Sequence, residues 1–338
     1  MDHFFLGLLV VILGGMLNST FALPMKYSRS WKWENTWFVF TLLALLLLPA
    51  AVAAFAVPRL TEVYAAAKPA DFIPGLVFGF LWGLAQTTFG LSIAMVGMAM
   101  AFAIVVGLAG LIGSFLPMIV LHPEALLGPR GIALAVSAVL VFIGLAAYSR
   151  AAREREAATG AVAASGGSYR KGLALCLFTG VLGGMINLGF AFSGNLSALA
   201  AEFGVPPASA NFAVWLVVLS AGWIPNAAYT LWLMARNRTF VLFAARPGRD
   251  SLLAAAMSLF WLSGVFIYGA GSTVMGKFGT SIGWAVNIIV LLLWSTTLGL
   301  LTGEWRDARP EILRRMKTGV AIILASVVVL SATGLLPE

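Results

Sequence analysis

Residues 14–22 read GGMLNSTFA, and residues 183–191 read GGMINLGFA. The two stretches share Gly-Gly-Met, an Asn at the fifth place and a closing Phe-Ala, and they begin 169 residues apart in a chain of 338. A motif repeated after half the chain points to a duplicated unit. What surrounds each copy decides what kind of unit it is. Residues 4–25 and 172–201, which contain the two copies, hold no Asp, Glu, Lys or Arg.

The rest of the chain follows suit. It is 61% hydrophobic and only 10% charged, with a mean hydropathy of +0.97. Soluble domains carry about 25% charged residues, so this composition cannot cover a water-facing surface. Further uncharged runs occupy 35–58, 72–121, 131–149, 203–235, 251–276, 278–303 and 318–337. A membrane-spanning helix needs about 20 apolar residues. Eight of the nine runs fit one span and 72–121 fits two, with the break expected between Gly90 and Gly97. The expectation is an all-α integral membrane protein of ten spans. The first run reads as a retained span, because Met1-Asp2-His3 is no basic leader and no small-residue cleavage site precedes Pro24-Met25-Lys26.

Formal net charge is +8, which by itself would suggest nucleic acid. The distribution removes that reading. Seventeen Lys and Arg fall in the connections after odd-numbered spans, against four on the other side (Arg59, Lys68, Arg130 and Lys277). Such a bias places the basic face in the cytoplasm and both termini outside. The lone Cys176 sits in an apolar run, where a buried, unreactive thiol is expected.

The longest polar segment, 149–171 (SRAAREREAATGAVAASGGSYRK), is charged first and then small and Gly/Ser-rich, as expected of a cytoplasmic linker. It divides the chain into 1–148 and 172–338, five spans each. Because five is odd, the second set enters the membrane from the opposite side, so two units of one fold would be inverted repeats. A second match supports this: WGLAQTTFGLSIAMVG from Trp82 aligns without gaps to WLSGVFIYGAGSTVMG from Trp261. Inverted five-helix repeats are a recurrent architecture of secondary transporters, which bind substrate near the midplane between the halves.

Enzyme signatures are lacking. The two histidines, His3 and His122, stand at span ends. No metal-ligand spacing occurs, and no Gly-rich loop ends in Lys-Ser/Thr. No cofactor or metal is expected. The spans instead carry neutral polar groups: Asn18, Gln86, Asn187 and Asn287 among them. A carboxamide in hydrocarbon must meet its donors and acceptors, either on a neighbouring helix or on a solute. Inversion would set the repeated pair Asn18 and Asn187 at similar depth about one axis. Amides suit sugar hydroxyls, since both donate and accept. Trp82, Trp261, Tyr268 and Trp284 add flat surfaces for the C–H faces of a sugar. Trp31, Trp33, Trp37 and Trp305 read as belt residues at the interfaces.

Several stretches also resemble the bacterial L-rhamnose–proton symporters of the drug/metabolite transporter superfamily. PMKYSR from Pro24 followed by SWKWENTW from Ser30 is similar to the stretch after that family's first span. FGFLWGLAQTTFGLS from Phe78, MGKFGTSIGWAV from Met275 and GLLTGEW from Gly299 resemble later segments in the same order. The resemblance implies a ten-helix inverted repeat that imports a sugar with protons. Two positions depart from it. Gln86 stands where the family pattern WGxxN has Asn, and Asn287 where the family carries a His. The second loses a titratable group, which leaves Glu34 and Glu304, at the cytoplasmic ends of spans 2 and 9, as candidates for proton coupling. The alternative is a proton-independent facilitator or a small-metabolite exporter on the same fold.

Overall fold

Each uncharged run becomes a helix in the computed structural model, which describes residues 2–96, 98–158, 167–244, 247–303 and 305–335. Ten helices among them are long and apolar enough to cross a membrane. They are α1 (His3–Tyr27), α2 (Trp33–Ala56), α3 (Pro69–Ile93), α4 (Met100–Leu121), α5 (Pro129–Arg155), α6 (Arg170–Glu202), α7 (Ser209–Asn237), α8 (Gly248–Val274), α9 (Gly276–Leu301) and α10 (Pro310–Ala332). No strand occurs among the described residues. The chain is thus an all-helical, multi-pass membrane protein. The break inside 72–121 falls between helices ending at Val96 and beginning at Met98, at the Gly97 end of the expected interval. Gly97 itself is outside the described residues.

Helix composition overrides part of the expected linker. The α5 helix continues to Ala158 and the α6 helix starts at Gly167, leaving 159–166 outside the described residues. Ala, Arg and Glu are good helix formers, so AAREREAA extends the span instead of ending it. An ion pair between Arg315 and Glu154, and the Arg155 guanidinium 4.6 Å over the Trp305 ring, hold this extension against the start of α10.

Packing is by close approach at glycines. α1 lies along α8 and α9, α6 along α3 and α4, α3 along α7, α8 along α2, and α5 along α10. A Cβ on Gly14 would sit 2.8 Å from the Tyr268 nitrogen and 2.9 Å from the Gly264 oxygen, and one on Gly7 2.6 Å from the Gly271 oxygen. One on Gly184 would meet the Gly113 nitrogen at 2.8 Å. The two Gly-Gly pairs of the repeat are therefore notches where α1 and α6 cross their neighbours, the usual role of small residues between membrane helices.

Helix irregularities are local. The α-helix of span α1 is continuous from Asp2 to Thr20, straight through Gly14-Gly15, whereas α6 is interrupted at Gly184 and again at Ser193. The same Gly-Gly pair thus accompanies a continuous helix in α1 and a break in α6. In α2, Leu42–Leu47 form a π turn directly before Pro49. There the Leu48 N–H donates to the Leu43 carbonyl, five residues back. Pro49 has no N–H to offer Leu45, and the wider turn absorbs that loss.

Candidate functional site

The C-terminal end of α1 parts two spaces. On one side, Phe21, Trp37, Phe40, Thr41, Leu45, Trp82, Gln86, Asn226 and Trp261 enclose a pocket of about 10 Å³, room for a single water at most. Five helices contribute: α1, α2, α3, α7 and α8. On the other side, a cavity of about 200 Å³ runs between α1, α4, α5, α9 and α10 toward Lys26, Arg155 and Trp305 at the basic face.

Volume favours the cavity, but chemistry favours the pocket. Three of the cavity hydroxyls are already engaged by carbonyls: Ser19 donates to Leu291 (3.0 Å), and Ser295 and Thr296 both donate to Leu292 (2.9 Å). The remaining wall is mainly aliphatic. The pocket sets the Gln86 carboxamide beside an aromatic cage.

Trp82 and Trp261, aligned by the sequence repeat, stack on each other with ring centroids 5.6 Å apart and planes 21° from parallel. Phe40 meets Trp261 edge-on at 6.3 Å and Trp37 at 5.1 Å, and Trp37 in turn stacks on Trp33 at 5.2 Å. Trp82 lies 13 residues after the start of α3, and Trp261 13 residues after the start of α8. At 1.5 Å per residue, each is about 20 Å from the face where its helix begins. Consecutive spans alternate direction, so α3 and α8 start from opposite faces and the stack lies near mid-membrane. Gln86, half-buried one turn beyond Trp82, completes the wall.

Asn226 holds the cage together. It is fully buried. Its Oδ1 accepts from the Trp37 indole N–H at 3.0 Å, and its Nδ2 donates to the carbonyls of Gly222 (2.9 Å) and Gly83 (3.3 Å). One side chain thus joins α2, α3 and α7.

The sequence-derived site residues divide between this pocket and the core. Trp82, Gln86 and Trp261 line the pocket, and Asn18 adjoins it, donating weakly to the Trp261 carbonyl at 3.4 Å. Asn187 does not reach it. Its Nδ2 donates to Gly113 (2.7 Å) and Thr280 (2.8 Å), and its Oδ1 accepts from the Tyr268 hydroxyl. In this conformation Asn187 and Tyr268 have their polar groups turned on each other and on backbone, at a joint of α4, α6, α8 and α9. Trp284 belongs to the same joint, its ring 5.5 Å from Tyr268 and its N–H donating to Ala109. Asn287, one turn further along α9, is buried with its Oδ1 unpartnered.

Of the two candidate acids, Glu304 is outside the described residues. Glu34 is only 6% exposed. Its Oε1 accepts from Asn237 (3.0 Å) and Thr239 (3.1 Å), tying the start of α2 to the α7–α8 connection. No described cation lies within ion-pairing distance, so the carboxylate is held by neutral donors. Trp31 and Trp305, expected at the interfacial belt, are buried instead, and Trp37 lines the pocket. Sequence reasoning noted Asn226 among the polar residues of the spans and read Trp37 as a belt residue, but assigned neither to the site. The i, i+4 spacing of Trp33 and Trp37, continued by Phe40 and Thr41, was the available signal.

A ten-helix membrane protein with a neutral aromatic–amide pocket at mid-depth and no metal-binding cluster among its described residues has the make-up of a secondary transporter. Comparison with known proteins defines it further. The family model described as L-rhamnose-proton symport protein matches residues 1–334, and the chain belongs to that family, which is one of sugar–proton transporters and not of enzymes. Its relatives include proteins named L-rhamnose-proton symporter from Shigella boydii and Escherichia coli, each 25% identical, and from Cronobacter sakazakii, 27% identical. All three alignments cover 333 residues, 96% of this chain and 96% of the relative.

Proposed function

We propose that this chain imports a neutral sugar across a bacterial inner membrane together with a proton, the sugar being L-rhamnose or a related deoxy-sugar or hexose. The observation that carries the reading is the mid-membrane stack of Trp82 on Trp261 beside Gln86. Indole faces suit the C–H surface of a pyranose, and an amide gives hydroxyls both a donor and an acceptor. No ionisable residue lines the pocket, as fits an uncharged solute. Asn18 and Gln86 are assigned to the sugar. Asn187, Tyr268 and Asn287 border its path only when the helices part, because in this closed form the pocket admits no sugar.

The proposal includes two inverted halves (1–148 and 172–338), the basic face in the cytoplasm and the termini outside. Exchanging α1–α5 with α6–α10 in the list of neighbours turns α1 on α8 and α9 into α6 on α3 and α4, and α3 on α7 into α8 on α2. Every pair named is present. The contact of repeat-matched Trp82 with Trp261 is what a two-fold axis between them would produce.

Glu34 is assigned to coupling, being a buried carboxylate held by neutral donors. A proton-independent facilitator or exporter is the second reading, favoured by the absence of acids from the pocket. Uptake of a panel of labelled sugars in a transport-deficient host, with pH recorded in the medium, tests both. The primary reading requires accumulation with alkalinisation, both lost in Glu34→Gln while sugar exchange survives. Equilibration without proton movement establishes the facilitator.

A further inference from the structure

Eleven residues before each tryptophan of the stacked pair stands an aspartate: Asp71 before Trp82 and Asp250 before Trp261. Neither belongs to the pocket, and each begins its helix, α3 or α8. Because those helices start from opposite faces, the two carboxylates lie on opposite sides of the membrane.

What they hold corresponds as well. Asp250, almost fully buried, accepts three consecutive backbone N–H groups: Arg29 at 3.3 Å, Ser30 at 3.0 Å and Trp31 at 3.2 Å. This grips the segment after α1. Asp71 accepts from the Asn195 side chain at 3.0 Å, near the end of α6, and from the Lys68 N–H at 2.9 Å. Each carboxylate therefore bridges from one half of the chain to the other, Asp250 taking the segment that follows α1 and Asp71 the last turns of α6. The bridges differ in strength. Three charge-assisted bonds to a buried carboxylate, one of them fully buried, outweigh one bond from a solvent-exposed amide.

We propose that Asp250 and Asp71 are the paired gate residues of the transport cycle, Asp250 latching the basic face shut and Asp71 latching the opposite face. They act on the pocket from either end without touching the sugar, so the inference rests on the transport reading but not on which sugar is carried. The described conformation has the basic-face latch fully made. Glu34 lies on the same face and also joins α2 to the α7–α8 connection, so it adds to the same closure.

The test needs no sugar. The native Cys176 is buried, so the parent chain serves as a blank and Thr41→Cys, on the pocket wall, as reporter. Its labelling by a membrane-impermeant maleimide is timed in vesicles of both orientations. Asp250→Asn should raise labelling from the basic face relative to the other by about tenfold. Asp71→Asn should tilt the ratio the other way by about two- to threefold, reflecting its exposed partner. Asn195→Ala, which leaves every acid in place, should reproduce Asp71→Asn. The double variant Asp71→Asn/Asp250→Asn should return the ratio toward that of the parent. If Asp250→Asn does not accumulate, the Asp71 and Asn195 variants still decide. Ratios that move in one common direction, or variants of the outer latch that move nothing, overturn the proposal, whereas failure to transport any sugar leaves these labelling ratios untouched.

Discussion

Replacing Asn187 by Leu separates a residue that binds sugar from one that binds helices. The substitution keeps volume close but removes two donated bonds, to Gly113 and Thr280, and one accepted from Tyr268. Interhelical hydrogen bonds in membrane proteins average about 0.6 kcal/mol and reach about 1.7, so three of them put the loss at about 2 kcal/mol, with about 5 as the ceiling. Asn18→Leu removes one bond of 3.4 Å, and its effect on stability should stay below about 0.5 kcal/mol. The assay is the midpoint of thermal denaturation in detergent, followed by size-exclusion chromatography, together with the apparent KM for the transported sugar. Asn187→Leu should melt several degrees below the parent and bind sugar normally where it remains folded. Asn18→Leu should melt like the parent and lose affinity several-fold, as for one lost hydrogen bond to a neutral ligand. Tyr268→Phe on top of Asn187→Leu should cost less than the sum of the two alone, because they share a bond. A parent-like melting point in Asn187→Leu with a raised KM would refute the reasoning and return Asn187 to the sugar.

Gly14→Val should abolish folded expression, since its first side-chain atom already meets the Tyr268 backbone at 2.8 Å; a normal yield in a fluorescence-tagged expression screen would contradict the notch. Trp82→Ala and Trp261→Ala should each weaken sugar binding by about tenfold, in line with the loss of an aromatic face, while Trp33→Ala, outside the pocket, should leave KM within about twofold. A cytoplasm-active reporter joined to the C-terminus should stay silent, and strong signal there reverses the assignment of faces.

Much of the fold could be read from charge alone. Nine uncharged runs anticipate ten helices because hydrocarbon excludes charge whatever the packing. The stacking of Trp82 on Trp261 was foreshadowed by an ungapped alignment that pairs the same two residues. Partners were less legible. Nothing in the spelling of GGMINLGFA tells that Asn187 will be saturated, because two of its three partners are backbone carbonyls, and any residue could have supplied them. Trp31 and Trp305 misled for a related reason. A tryptophan at the end of a span has the composition of a belt residue, and only its tertiary partners bury it: Phe243 for Trp31, and Tyr148, Ala151, Ala152, Ile312 and Met316 for Trp305. The charged beginning of the linker read as flexible because charge signals solvent, while Ala, Arg and Glu sustain a helix in water as well as in lipid.

The π turn of α2 carries one residue more than an α-helix needs to cover the same rise. In a regular α-helix, losing a residue swings everything beyond it by about 100° and would turn a pocket face toward lipid. In α2 the loss of one leucine from 42–47 would take up slack instead, leaving Trp37 on the pocket wall, Phe40 against Trp261 and Phe55 exposed, with Pro49 then bending the helix. Span α2 is thus the wall of the pocket whose length can drift by a single codon without scrambling its aromatic face.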